Sequence, residues 1–141
     1  MNQEWADRLL KAAKFPVDKK DVLSFPNPGT LQQIDLRAEG EKEEFQLDVR
    51  RANIDLKGTY QNRARQTVIL ARLDFGSAPH RNPDGEVVPA PHLHLYREGF
   101  GDKWAYPLPA EFTHPTDVQK TLEQFLSYCN IRKLPVQQGF V

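Results

Sequence analysis

The sequence predicts an α+β fold: a mostly antiparallel curved sheet of about five to six strands, with an N-terminal and a C-terminal helix. Three observations carry this. Apolar residues recur at helical spacing near both ends, they alternate with period two through the middle, and turn-forming residues separate the alternating runs. The chain has 141 residues and a mass of 16.2 kDa, so one domain spanning 1–141 is expected. A domain of that size buries roughly 68–70% of its unfolded surface and needs neither a disulfide nor a metal to fold.

Asn2 is placed to cap the first helix, with Trp5, Leu9, Ala12 and Ala13 on one face, and Phe15-Pro16 stops it. Phe25-Pro26-Asn27-Pro28-Gly29 is too proline-rich for a helix or central strand and reads as a loop. Leu31, Ile34 and Leu36 suggest a first strand, closed by the charged turn Glu39–Glu44. Phe45, Leu47 and Val49 alternate with Gln46, Asp48 and Arg50 as a half-buried strand does, and Ile54 and Leu56 are expected to continue that pattern. Lys57-Gly58-Thr59 reads as a turn. Thr67–Phe75 is the most aliphatic and β-branched run and is expected to be a central strand. Asn82-Pro83-Asp84-Gly85 is a turn, Val87-Val88 is extended, His92–Glu98 is a strand, and Lys103–Tyr106 is the last strand. Thr116 or Asp117 then caps a helix whose apolar face is Val118, Leu122, Phe125, Leu126 and Cys129. Ile131, Leu134 and Val136 pack beneath it before a frayed tail.

Cys129 is the only cysteine, which rules out an internal disulfide and a cysteine-based zinc framework and fits a reducing compartment. The opening decapeptide carries Glu4, Asp7 and Arg8, unlike a signal peptide, and the apolar runs are too short to span a bilayer. A cytoplasmic protein with no membrane partner is expected. Net charge is zero but unevenly placed: residues 1–49 hold seven basic and ten acidic residues, residues 50–103 nine and six. A mildly basic middle can attract phosphates, although ordinary solvated strands explain it as well.

Ala78–Pro107 holds His80, His92 and His94, three of the four histidines. On a strand from His92 to Glu98, side chains alternate, so His92, His94, Tyr96 and Glu98 are expected on one face. One chemistry that follows is metal-free acid–base catalysis: one histidine accepts a proton and another returns it. In that reading His80, His92, His94, Tyr96 and Glu98 are the catalytic candidates. Arg63, Arg65, Arg81, Arg97 and Lys103 would hold a phosphate. Arg63 and Arg65 are expected on one strand face with Thr67. Arg72 and Asp74, inside an aliphatic strand, are expected to form an internal ion bridge or to orient the site.

RNA cleavage through the 2′-hydroxyl needs only these residue types and no cofactor, so a toxin-type ribonuclease acting on RNA is the leading expectation. A non-catalytic module binding nucleic acid or a cognate protein such as an antitoxin is the alternative, since proline-braced loops with Tyr, Trp and Arg suit interfaces. Metal binding through the His92–His94 pair is a third reading. Histidines that only pack within the sheet are the plain structural alternative.

The spacing His92-x-His94-x3-Glu98 resembles the first metal motif of the cupin family. It departs in having six residues, not five, between Gly85 and the pair, and in lacking a second motif. Over most of the chain, Tyr60-Gln61-Asn62-Arg63, Arg72-Leu73-Asp74, Pro79–Gly85, Pro91–Gly99 and Asp102-Lys103-Trp104-Ala105 resemble a family of small bacterial and phage-associated proteins, a domain of unknown function. That resemblance carries no activity or catalytic residue to transfer. It implies a bacterial, often mobile-element setting.

Overall fold

A computed structural model describes residues 1–24, 27–53 and 56–137. Helix α1 spans Gln3–Lys11 and begins where Asn2 Oδ1 accepts the Trp5 amide at 2.8 Å. It ends earlier than Phe15-Pro16, because Ala12 is extended (ψ 138°) and leads into strand β1, Lys14–Pro16. Then come β2 (Leu23–Ser24), β3 (Leu31–Ala38), β4 (Phe45–Arg51), β5 (Gly58–Ala64) and β6 (Val68–Phe75). These are followed by β7 (His80–Arg81), β8 (Val87–Val88), β9 (His92–Leu95), β10 (Ala105–Pro107), α2 (Val118–Tyr128) and β11 (Val136–Gln137). Asp117, not Thr116, caps α2, its Oδ1 accepting the Lys120 amide at 3.0 Å.

The main sheet has seven strands, more than expected, in the order β1-β3-β4-β5-β6-β9-β10, and every neighbouring pair is antiparallel. The sheet is open: β1 and β10 are its two edges. The expected central strand, as β6, is hydrogen-bonded on both sides, by β5 and β9. Small two-stranded ribbons, β7-β8 antiparallel and β11-β2 parallel, stand outside it.

Several local expectations are corrected. Gly58 and Thr59 are the first residues of β5 and not a turn, and Leu56 is 56% exposed outside any strand. Ile54 lies outside the described residues, as do Phe25, Pro26 and residues 138–141, the expected tail. The last strand begins at Ala105, and Lys103 and Trp104 lie outside it in the connection that precedes it.

Strict alternation gives the sheet two unlike faces. Phe45, Leu47, Val49, Tyr60, Leu73 and Leu93 are all fully buried in one cluster with Ala6 and Leu9 of α1 and Leu122 and Phe125 of α2. Each large side chain in that cluster contributes about 1.5–3 kcal/mol by leaving water. The Tyr60 hydroxyl, deep in the core, donates to the Val118 carbonyl at the start of α2 (2.9 Å) and ties that helix to the sheet. The opposite face is polar. Strand register aligns Gln33, Asp48, Gln61, Arg72 and His94 in one row across it, and Arg50, Thr59, Asp74 and His92 in the next.

Lys14 closes the structure at its helix ends. Its buried ammonium donates to Leu10 O (2.8 Å), Ala12 O (3.0 Å) and Cys129 O (2.8 Å), which are carbonyls at the C-termini of both helices.

Candidate functional site

His92 and His94 stand two apart on β9, and Asp74 and Arg72 stand opposite them on β6. Antiparallel pairing therefore delivers two imidazoles, a carboxylate and a guanidinium to one patch of the polar face. Both histidines are only 1% exposed. His94 Nε2 lies 3.2 Å and His92 Nε2 3.4 Å from the same atom, Asp74 Oδ2. The other carboxylate oxygen, Oδ1, accepts from Thr59 Oγ1 at 2.9 Å and lies 3.3 Å from Arg72 Nε.

The loop after β9 orients the rings. His94 Nδ1 meets the Asp102 carbonyl at 2.7 Å, so Nδ1 carries the proton and Nε2 turns toward Asp74. The Asp102 carboxylate holds Arg72 Nη1, and Arg72 Nη2 lies 3.1 Å from His94 Nε2. His80 comes from the β7-β8 ribbon, its Nε2 donating to the Lys103 carbonyl at 2.7 Å, with its ring 4.6 Å from His94 and 6.0 Å from His92. Buried Asn82 fixes that ribbon to β10 by a reciprocal pair, Nδ2 to Ala105 O (2.9 Å) and Ala105 N to Oδ1 (2.8 Å). The two sequence motifs thus meet: Asp102-Lys103 supplies carbonyls to His94 and His80, and Asn82 anchors the ribbon that carries His80.

Burial, assisted by neighbouring His94, lowers the His92 pKa below the ordinary histidine range. His92 is therefore neutral at pH 7. Its Nδ1 is buried and makes no hydrogen bond of normal geometry, although the Pro89 carbonyl acts on the ring from the backbone. Burial alone would raise the Asp74 pKa, but the adjacent His94 imidazole, the Arg72 charge and the Thr59 hydroxyl together hold it at about 2.

The remaining expected site residues are engaged elsewhere. Tyr96 and Glu98 do not share the histidine face, because β9 ends at Leu95 and the chain turns toward α1. The Tyr96 hydroxyl donates to the Met1 carbonyl, and Glu98 Oε1 accepts the Gln3 amide at 2.7 Å, at the positive end of the helix. Arg63 and Arg65 do not share a strand face, since Arg65 has left the strand in a left-handed conformation (φ 53°). Arg63 is paired with Asp48 through Nε at 2.6 Å, and Arg65 with Glu43 through Nη2 at 2.6 Å. Arg81 donates to Gly85 O at 2.9 Å, and the Arg97 guanidinium stacks over Trp104, 4.2 Å from the ring centroid. Lys103 reaches the site through its carbonyl, while its side chain is exposed. The arginines and the histidines do not form one cleft.

A family model matches residues 1–131. The chain belongs to DUF6978, a family of unknown function. No curated protein and no solved structure matches it. Within this DUF6978 chain, Asp74 and Arg72 were legible as charges inside an aliphatic strand. Asp102, Asn82 and Thr59 were not, because the first acts largely through its carbonyl and the others through pairings distant in sequence.

Proposed function

We propose that this protein binds a divalent transition-metal ion through His92 Nε2, His94 Nε2 and Asp74 Oδ2. One observation carries the reading: three ligand atoms converge, with the two nitrogens 3.4 and 3.2 Å from the oxygen. Tetrahedral bonds of about 2.0–2.1 Å place neighbouring ligands about 3.3 Å apart, so the two nitrogen–oxygen edges match such an ion, and all three atoms lie within 4.8 Å of one another. Two imidazoles and one carboxylate suit zinc, iron, nickel or manganese better than calcium. The Asp102 carbonyl on His94 Nδ1 is the outer contact that fixes a ligand imidazole.

The test is elemental analysis of tag-free protein, followed by calorimetric titration of the metal-stripped chain with Zn²⁺, Ni²⁺ and Mn²⁺. One equivalent should bind, and Asp74→Ala or His92→Ala should weaken it by at least tenfold. Stoichiometric binding that survives both substitutions, or none in the native chain, refutes the reading.

Arg72 favours a second reading. Its guanidinium, 3.1 Å from His94 Nε2, already brings positive charge to the carboxylate. The cluster is then a proton-transfer site, and metal-free cleavage of RNA is the reaction to assay. Cleavage that persists in EDTA and disappears in His94→Ala supports it. No cleavage by native protein removes it.

A further inference from the structure

A groove of about 480 Å³ opens beside the histidine cluster, between the start of β3, the end of β4 and the start of β5. Thr30, Arg50, Lys57, Thr59 and Ser77 line it, and among the described residues no acidic side chain does. The side chains of Arg50 and Lys57 are exposed, and their cations make no ion pair or hydrogen bond with the described residues. That separates them from Arg63 and Arg65, whose charges are spent on Asp48 and Glu43. Ser77 Oγ is buried and has no hydrogen-bond partner. A buried hydroxyl without a partner costs about 1–3 kcal/mol, a cost that rotation of the Ser77 side chain toward a ligand in the groove would relieve.

Gly29 is left-handed (φ 78°), and a Cβ there would meet Asn53 Oδ1 at 2.2 Å, so the turn and the Asn53 amide close over each other without a side chain between them. Arg50 and Thr59 face each other in register, and Thr59 faces Asp74, so the groove runs in the same row as the cluster. Adjacent strands lie about 4.8 Å apart, which puts an anion at Arg50 about 10 Å from Asp74.

From these features we infer that the groove binds a small phosphorylated sugar. Two cations and a free hydroxyl suit a phosphate. The hydroxyls of Thr30 and Thr59 and the exposed amide of Asn53 suit the polar edges of a sugar. The volume is that of a small-molecule site. Among the described residues no aromatic ring lines it, so they offer no platform on which the bases of a nucleic-acid strand could stack. This inference does not depend on metal binding at Asp74.

The experiment is calorimetric titration of the full chain, in phosphate-free buffer with EDTA, using ribose 5-phosphate, free ribose and a single-stranded oligoribonucleotide as probes. Ribose 5-phosphate should bind and ribose should not. The exposed pair Arg50→Ala/Lys57→Ala should weaken binding at least tenfold with an unchanged Tm. In NMR titrations the Thr30, Thr59 and Ser77 amides should shift most. The inference is overturned if no phosphorylated sugar binds, if the double variant binds equally well, or if only the oligoribonucleotide binds.

Discussion

Replacing Lys14 with methionine sets two opposing effects against each other. The side chain is fully buried, and burial lowers its pKa from 10.5 to about 8, only slightly offset by Cys129. At pH 7 the folded chain therefore carries a charged amine at a penalty of about 3 kcal/mol, taking about 1.4 kcal/mol per unit of pKa. If desolvation were the whole account, Lys14→Met would stabilise the protein by that amount. But the ammonium also satisfies Leu10, Ala12 and Cys129 carbonyls at 2.8–3.0 Å. Leaving three buried carbonyls unpaired costs about 1–3 kcal/mol each, or roughly 6 kcal/mol together. The net expectation is a loss of about 3 kcal/mol, a large share of the 5–15 kcal/mol typical of a domain.

Urea denaturation at pH 7 measures this loss. The pH dependence supplies a second, independent sign. Between about pH 8 and 10.5 the unfolded chain holds a proton that the folded chain has released, so native stability rises with pH. The penalty is complete below pH 8 and is relieved above it, by about 2 kcal/mol at pH 9.5. The gap between native and Lys14→Met should therefore widen on going from pH 7 to pH 9.5. A variant as stable as the native chain, or a gap that narrows, would refute the reasoning.

Asn82→Ala should cost about 2–3 kcal/mol, because it strands the buried Ala105 amide and carbonyl. In the same variant the His80 ring should lose its fixed position over His94, seen as narrowing and displacement of its imidazole proton signals. Asp48→Ala leaves Arg63 without its carboxylate on a partly buried face and should cost about 3 kcal/mol. Burial pushes the Asp48 pKa up, but hydrogen bonds from Arg63, Gln61 and Gln33 outweigh it and hold the pKa low. Its stabilisation is therefore present above the unfolded carboxylate range and lost as pH falls below it, and acid titration of Asp48→Ala should show a shallower decline. Gly76→Ala should cost at least 2 kcal/mol by thermal melting, since φ is 68° and the added Cβ would stand 1.9 Å from the Leu56 carbonyl oxygen.

Periodicity and capping chemistry determined the α+β class, the helix cap at Asn2, a second cap at Thr116 or Asp117, the central position of β6 and the pairing of His92 with His94 on one face. Each depends on residues within about a turn or a strand of one another, so the local sequence contains the reason. What the tertiary structure decided is which distant groups meet them. Asp74 joins the histidines, and Tyr96 and Glu98 do not, because β9 ends at Leu95 and the following turn docks on α1. Arg63 and Arg65 are withdrawn because their carboxylates, Asp48 and Glu43, come from another strand and its approach. Two of the three histidines are oriented by backbone carbonyls, which every residue possesses and no sequence pattern marks. Antiparallel register converts an alternation into a face, but only the pairing of β6 with β9 turns that face into a site.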